Sequence, residues 1–190
     1  MTLFQDQGFQ KVKGYITPYF SLFLRNYFTL RVQNDNLGGD EQAPNSHCVY
    51  GDPAFDMAMY MSTEDIGKIV GKNLIPQYTY ARIYKNGSDL KIHSDRPECQ
   101  YSVTLSLGGD YKKPWPIWIK DYAGNVNEVP LDEGDMVVYH GTELEHWRDK
   151  FEGEECVQVF LHYNDFKTKG NKNKFDTRNM LGLPQDFKKN

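Results

Sequence analysis

The chain has 190 residues and a mass of 22.1 kDa, which is the size of one ordinary domain. Its 22 basic and 26 acidic residues give a net charge of −4, so a nucleic-acid-binding surface, which needs excess positive charge, is not expected. Hydrophobic residues make up 39% of the chain and aromatic residues 14%, which excludes general disorder. No apolar run approaches the roughly 18 residues that a membrane span requires, and the first residues lack the order of a secretory signal.

The cysteines are three in number and widely spaced, at Cys48, Cys99 and Cys156. They form no CxxC pair, so neither a disulfide framework nor a zinc knuckle is indicated. Together with the absence of an apolar span, this predicts a soluble protein of a reducing compartment, the cytoplasm, with no membrane partner.

Two helices are predicted in the first part of the chain. Residues 16–30 carry apolar side chains at intervals of three and four, which is typical of a helix with one buried face. Residues 33–54 are rich in Asn, Asp, Gly and Pro and predict a long loop. The sequence Ser-Thr-Glu-Asp at 62–65 resembles a helix start, and Gly71 marks the end of that second helix.

After Pro76 the apolar pattern changes to a period of two, which indicates strands separated by Gly, Asn and Asp turns. Helices followed by many short strands predict a mainly β fold, a sandwich or barrel with helices packed outside. We expect one domain over residues 1–165, with a helical part at 1–75 and a strand-rich core at 76–165. The predicted strands cover residues 78–85, 101–107, 115–121, 136–140 and 157–163.

The last part of the chain, residues 166–190, is a predicted basic tail. From residue 164 onward there are seven basic residues against three acidic ones. Two interpretations are open. The tail is either solvated and partly ordered, or it is functional, as a flap over the site or as a surface for an acidic partner. Its apolar residues, which could anchor it, are Phe175, Met180, Leu181, Leu183 and Phe187.

The predicted strands each have one apolar and one more polar face, because side chains alternate along a strand. In strand 78–85 the small face carries Ala81 and Ile83, whereas strands 101–107 and 157–163 repeat the division. The apolar faces suit packing under helices, and the polar faces either line an internal ligand cavity or meet solvent. The polar face of the first strand consists of Tyr78, Tyr80, Arg82 and Tyr84.

A candidate metal site begins at His93-Ser94-Asp95, where an extended chain points the imidazole and the carboxylate the same way. A third ligand from a later strand would complete a two-histidine, one-carboxylate site with open coordination positions. His146 and His140 compete for that role, and we favour His146 because it lies beyond the strand. His47 is expected to be solvated. His162 faces the predicted cavity, either as a structural residue or as a co-substrate contact.

Two segments, residues 80–109 and 131–165, resemble the iron(II)- and 2-oxoglutarate-dependent oxygenases, specifically the prolyl 4-hydroxylase-like branch. The resemblance covers roughly residues 77–165. It implies a double-stranded β-helix (jelly-roll) core packed on N-terminal α-helices. It also implies His93, Asp95 and His146 as the ligands of iron.

The resemblance further implies Fe(II), 2-oxoglutarate and O2 as cofactors and co-substrates, with ascorbate as the reductant. Such an enzyme hydroxylates an unactivated C–H bond and releases succinate and CO2. A peptidyl proline is the first candidate substrate, and a free small molecule or amino acid is the alternative. A cupin-like metal-binding jelly roll with other chemistry and a non-catalytic jelly roll are the rival interpretations.

One position departs from the family pattern. An Arg or Lys usually stands about ten residues after the distal histidine and pairs with the far carboxylate of 2-oxoglutarate, but Cys156 stands there in this chain. We expect Arg82 to replace it, because Arg82 shares a strand face with Tyr80 and Tyr84. Tyr84 matches a family tyrosine that contacts the co-substrate. Further candidate contacts are Gln158, Arg148, Arg96 and His162.

Overall fold

The computed structural model describes residues 3–169 and 174–183, which form two antiparallel β-sheets with helices outside. The mainly β fold with flanking helices is therefore confirmed. The larger sheet has the order β1-β8-β5-β10-β3-β2 and consists of β1 (Phe9–Val12), β2 (Ser46–Tyr50), β3 (Leu74–Lys85), β5 (Tyr101–Asp110), β8 (Met136–Tyr139) and β10 (Glu155–Asp165). The smaller sheet has the order β4-β9-β6-β7 and consists of β4 (Leu90–His93), β6 (Ile117–Lys120), β7 (Val126–Val129) and β9 (His146–Arg148). The helices are α1 (Leu3–Gln7), α2 (Pro18–Asp35), α3 (Pro53–Val70) and α4 (Phe166–Lys169).

The first predicted helix is confirmed as α2. It begins after Thr17, whose hydroxyl accepts a hydrogen bond from the Phe20 backbone N–H at 3.3 Å, and it ends where Asn36 adopts a left-handed conformation. Leu24 and Phe28 are buried in the core. The predicted apolar face is therefore only partly right, because Tyr19 and Phe23, which follow the same spacing, are exposed.

The predicted loop over 33–54 is wrong in two respects. Strand β2 lies inside it and pairs with β3, and α3 begins at Pro53 rather than near Ser62. The side chain of Asp52 accepts from the Ala54 backbone N–H at 2.9 Å, so Asp52 is the N-cap. Ser62 is mid-helix, where its hydroxyl donates to the Ala58 carbonyl.

The alternation within the long strands is confirmed, because their apolar faces share one core with α2 and α3. Ala81 of β3, Val103 of β5 and Val159 of β10 are almost fully buried there. The opposite faces of the same strands point to the interior between the two sheets. The sequence did not predict the short elements α1, β1, β4, β7 and β9.

The basic tail is only partly described, and Phe187 lies outside the described residues. Within 174–183, Asp176 and Arg178 are buried, so a solvated tail is the wrong interpretation for this segment. Met180, offered as an anchor, is largely exposed. None of the helices in the described part of the chain combines the length and apolar character that crossing a bilayer requires.

Candidate functional site

The paired strands β4 and β9 bring the candidate metal ligands together. His93 ends β4, Asp95 follows in the next loop, and His146 begins β9 directly opposite His93. One ligand atom from each of the three residues lies within 4.8 Å of the others. Asp95 Oδ1 is 3.8 Å from His93 Nε2 and 3.5 Å from His146 Nε2.

Backbone carbonyls determine which nitrogen of each imidazole faces the site. His93 Nδ1 lies 2.7 Å from the Lys91 carbonyl, and His146 Nδ1 lies 2.9 Å from the Leu144 carbonyl. A carbonyl only accepts hydrogen bonds, so both Nδ1 atoms carry the proton. Both Nε2 lone pairs are therefore available to a metal ion.

Asp95 is held by one backbone and one side-chain hydrogen bond. Its backbone N–H donates to the Gly141 carbonyl at 2.8 Å, and its Oδ2 accepts from the Ser102 hydroxyl at 2.6 Å. The Ser102 Oγ is also 3.0 Å from His162 Nδ1. The remaining oxygen, Oδ1, is the one that faces the two imidazoles.

The charge states of the donors suit a divalent cation. Burial raises the pKa of Asp95, but the imidazoles of His146 and His162 and the Ser102 hydroxyl outweigh it and hold the pKa well below its usual range. Burial, followed by the nearby His146, lowers the pKa of His93. Near neutral pH the carboxylate is charged and the His93 imidazole is neutral, as metal binding requires. Two imidazole nitrogens and one carboxylate oxygen on one side fit ferrous iron with open positions.

A cavity of about 310 Å³ adjoins these ligands between the two sheets. The inner face of β3 forms one wall, as the sequence predicted. From β10, Phe160 and His162 contribute to the same cavity. Burial is the first cause that lowers the pKa of His162, to about 4, so its imidazole is neutral near pH 7. The β3 residues of the wall are Tyr78, Tyr80, Arg82 and Tyr84.

Arg82 lies in this cavity but already has a counter-charge. Its guanidinium forms an ion pair with Asp40 from the loop between α2 and β2, and it donates to the Tyr84 hydroxyl at 3.2 Å. Tyr80 also donates to Asp40. The sequence did not indicate that Asp40 would take this position, because residues far apart along a loop give no pairing signal.

Arg148 is buried without such a counter-charge. It lies two residues after His146 on β9, so the two side chains share a strand face. Its Nη1 donates to the Trp115 carbonyl at 2.6 Å, and the guanidinium lies 4.8 Å from the centre of the Trp115 ring. Within the described ranges, Nε and Nη2 of Arg148 have no hydrogen-bond partner and no ion pair involves this residue. Burial lowers its pKa.

Other buried polar atoms on the inner strand faces also lack partners in the described part of the protein. They are Arg82 Nε, Thr104 Oγ1 and Gln158 Oε1. Buried polar groups are nearly always hydrogen-bonded, and of these three residues Arg82 lines the cavity beside the candidate ligands. Cys156 cannot supply the cation of the family pattern, because a thiol is either neutral or anionic. Burial raises its pKa to about 11, which keeps it neutral.

The remaining histidines lie outside the ligand group. His140 stacks on Tyr101 with ring centres 4.8 Å apart, and its Nδ1 is 2.8 Å from the Tyr122 hydroxyl. His47 is half-buried and its Nδ1 lies 2.7 Å from the Leu37 carbonyl, so the prediction of a solvated His47 is wrong.

No protein-family model and no curated protein sequence matches the chain. Solved structures do match its fold. A Pseudomonas putida prolyl-4-hydroxylase superposes with a TM-score of 0.69 at 14% identity, over 85% of this chain and 95% of that one. HygX from Streptomyces hygroscopicus, with nickel and 2-oxoglutarate bound, gives 0.68 at 13% identity, over 86% and 85% of the two chains.

The viral collagen prolyl hydroxylase vCPH from Paramecium Bursaria Chlorella virus-1, solved as a 2-oxoglutarate complex, is also similar. Its TM-score is 0.64 at 11% identity, and the match covers 85% of this chain and 98% of that one. At these identities the similarity establishes the architecture, and the expected jelly-roll core is confirmed. The chain has the double-stranded β-helix fold of the iron- and 2-oxoglutarate-dependent oxygenases.

Proposed function

We propose that this protein is an iron(II)- and 2-oxoglutarate-dependent oxygenase that hydroxylates an unactivated C–H bond. The observation that carries the proposal is the convergence of His93, Asp95 and His146 beside a cavity that is also lined by Arg82. When bound, iron(II), 2-oxoglutarate and O2 supply oxidative decarboxylation to succinate and CO2 coupled to substrate hydroxylation. We keep ascorbate as the reductant.

The chain's own residues hold and orient the metal in this proposal. His93 and His146 offer their Nε2 lone pairs because their Nδ1 protons are donated to backbone carbonyls. Asp95 offers Oδ1 because Ser102 holds Oδ2. All three donors lie at one end of β4 and β9 and line the cavity, so a metal ion held by them would be open to ligands from the cavity.

We assign the far carboxylate of 2-oxoglutarate to Arg148 rather than to Arg82. Arg148 follows His146 by two strand residues, about 7 Å further along the same face. Its Nε and Nη2 are open donors, whereas the guanidinium of Arg82 is neutralised by Asp40. A buried guanidinium with two free donors is suited to a carboxylate. Tyr80, Tyr84, Gln158 and His162 remain candidate co-substrate contacts.

The primary substrate has two candidates. A peptidyl proline is the first, in keeping with the fold shared with the Pseudomonas putida prolyl-4-hydroxylase. A free small molecule is the second, because Asp40 and Gln42 line the cavity from a covering loop and leave it a volume of about 310 Å³. Incubation with proline-containing peptides and with free amino acids, followed by mass spectrometry for a gain of one oxygen atom, separates them.

The cytoplasm remains the proposed compartment. All three cysteines are free thiols, which is consistent with a reducing environment. The acidic overall charge also supports the expectation that no nucleic acid is a partner.

An anaerobic titration with Fe(II) and 2-oxoglutarate tests the proposal. We expect a visible metal-to-ligand charge-transfer band, followed on admission of O2 by formation of succinate. Asp95→Ala and His146→Ala should each abolish both signals, and the control His47→Ala should retain them. A protein that binds metal without any response to 2-oxoglutarate would instead support the cupin-like alternative, and one that binds neither would support a non-catalytic jelly roll.

The assignment of the far carboxylate has its own experiment. Arg148→Met should raise the KM for 2-oxoglutarate by well over tenfold, because a lost charge-assisted pair at a buried carboxylate costs about 2–5 kcal/mol. Arg82→Met is the matched variant and should have the smaller effect. A large effect confined to Arg82→Met would return the role to Arg82.

A further inference from the structure

Residues 174–183, which we call the C-terminal strap, are fixed to the core beside the candidate metal site. Arg178 of the strap forms an ion pair of 2.8 Å with Asp56 of α3, and both side chains are fully buried. The Gly182 backbone N–H donates to the same carboxylate at 2.8 Å. The strap is therefore anchored by buried charge rather than by exposed contacts.

Asp176 extends from the strap to the loop that carries Asp95. Its side chain is 3% exposed and accepts from Arg96 Nη2 at 2.8 Å and from the Tyr50 hydroxyl. Asp176 has a φ of 55° and its two neighbours in the chain are also left-handed, a conformation that costs about 1–2 kcal/mol for each non-glycine residue. The buried contacts of the strap hold this costly backbone in place.

Arg96 and Tyr50, which both donate to Asp176, pack on one aromatic ring. The Arg96 guanidinium lies 4.4 Å from the centre of the Tyr78 ring, and its Nε donates to the Tyr78 hydroxyl at 3.1 Å. Tyr50 stacks on Tyr78 with ring centres 4.9 Å apart. Asp176 thus holds two of the side chains that fix Tyr78 in the cavity wall.

Two routes lead from this group to Asp95. The first is covalent, because Arg96 is the next residue in the chain. The second begins at the Tyr78 ring, which lies 4.6 Å from the His162 ring. His162 Nδ1 is 3.0 Å from Ser102 Oγ, and this hydroxyl donates to Asp95 Oδ2 at 2.6 Å.

We propose that Asp176 is a positioning residue for the metal ligand Asp95. Through Arg96 and the Tyr78 stack, it fixes the loop at 94–100 so that Asp95 Oδ1 faces the two imidazoles. The strap is then part of the functional site, although it follows the jelly-roll core in the chain. The proposal rests on the proposed function only for the identity of the metal, and the orientation of Asp95 in the metal-free protein is tested separately.

The test variant is Asp176→Asn, which removes the charge but keeps a residue that tolerates a left-handed backbone. In the metal-free protein, we expect faster amide hydrogen exchange over 94–100, with exchange in β6 and β7 unchanged. In the anaerobic titration with Fe(II) and 2-oxoglutarate, we expect metal binding to weaken three- to tenfold. This is less than the tenfold or more typical of residues bonded directly to a ligand, because Asp176 acts on Asp95 through Arg96 and Tyr78. Asn179→Ala, an exposed change on the same strap, is the control and should match the wild type.

The partner variant is Arg96→Gln, which breaks the same ion pair from the other side and replaces Asp176→Asn if that variant does not fold. If the two residues act through each other, the double variant should bind metal no more weakly than the weaker single variant. A wild-type protein that binds no metal would refute the proposed function, while the exchange experiment would still test the role of Asp176. Exchange over 94–100 that is identical in Asp176→Asn and wild type would overturn the positioning role.

Discussion

At the scale of single residues, Gly141 lies directly against the candidate ligand Asp95. A Cβ atom at this position would overlap Asp95 Oδ2, and it would lie 2.6 Å from Ser102 Oγ and 2.5 Å from the Cys99 carbonyl. Side-chain movement does not easily relieve the overlap, because Asp95 and Ser102 are hydrogen-bonded to each other and the Cys99 carbonyl belongs to the backbone.

We therefore expect Gly141→Ala to displace the Asp95 carboxylate and to weaken metal binding by more than tenfold. The measurement is the anaerobic Fe(II) titration. Gly38→Ala is the control, because a Cβ there meets nothing within 4 Å and its backbone is not left-handed. Equal metal affinity in the two variants would show that the hydrogen bond from Ser102 does not depend on the space at Gly141.

The lowered pKa of His162 predicts that the stability of the protein depends on pH. Burial is the main cause that lowers its pKa to about 4 in the folded protein, whereas an unfolded histidine has a pKa near 6.5. Between these values the unfolded chain binds one proton more, so the free energy of unfolding falls as the pH falls from about 6.5 to 4. The contribution is at most about 1.4 kcal/mol per pH unit.

His162→Gln should reduce this slope, measured by chemical denaturation of the metal-free protein at several pH values. His93 and His140, whose pKa values are also lowered, leave a residual slope of the same sign in the variant. Denaturation at pH 7.5, where the imidazole of residue 162 is neutral in both states, gives the baseline for each protein. An unchanged slope would mean that the pKa of His162 is not lowered in the folded protein.

The convergence of the candidate ligands was predictable from sequence, but their surroundings were not. His93 and Asp95 are two residues apart in an extended segment, and His146 lies beyond three further predicted strands, where His140 was the competing candidate. The pairing of Asp40 with Arg82 depends on how a loop folds back over the sheet. No spacing along the chain encodes that contact.

At the scale of elements, long strands were predictable and the start of α3 was not. β3, β5 and β10 each have 10 to 12 residues, so the alternation of faces is repeated several times. β9 has three residues, too few for a period to be recognised. The start of α3 was missed because Ser62 offered a plausible cap within a helix that already began after Asp52.

Asp52 combines several roles, and its replacement should be costly. It caps α3, accepts from the Tyr27 hydroxyl at 2.8 Å and forms an ion pair with Arg31 of α2. We expect Asp52→Ala to lower the free energy of unfolding by about 2–4 kcal/mol, because a cap and a buried charge partner are lost together. Chemical denaturation at pH 7 measures the difference.

Asp52→Asn is the matched variant, since the amide oxygen retains the cap and only the charge is lost. It should lose clearly less stability than Asp52→Ala. If the two variants were equally destabilised, the ion pair with Arg31, and not the cap, would account for the effect.

At the scale of the whole molecule, three regions differ in their chemistry. Helices α2 and α3 cover the apolar faces of the larger sheet, the polar faces enclose the cavity, and the strap joins the two regions from outside the core. The core order follows from the sequence, because apolar and polar faces alternate in β3, β5 and β10. The strap's position does not, because its basic composition is typical of a solvated tail, whereas Asp176 and Arg178 are buried.

The strap's anchor gives a prediction for the stability of the entire chain. Arg178 pairs with Asp56, and its Nη2 also donates to the Gln77 carbonyl at 3.0 Å, so one guanidinium connects the strap to α3 and β3. Arg178→Met leaves the carboxylate buried without its charge partner, which should lower the free energy of unfolding by about 3–5 kcal/mol.

Lys113→Met removes one positive charge from an exposed position and is the control. Chemical denaturation of both proteins measures the difference. A loss below 1 kcal/mol for Arg178→Met would mean that the ion pair with Asp56 contributes little to stability. Hydrogen exchange of the same variant, faster over 174–183 than in β10, would show that the strap opens before the sheet does.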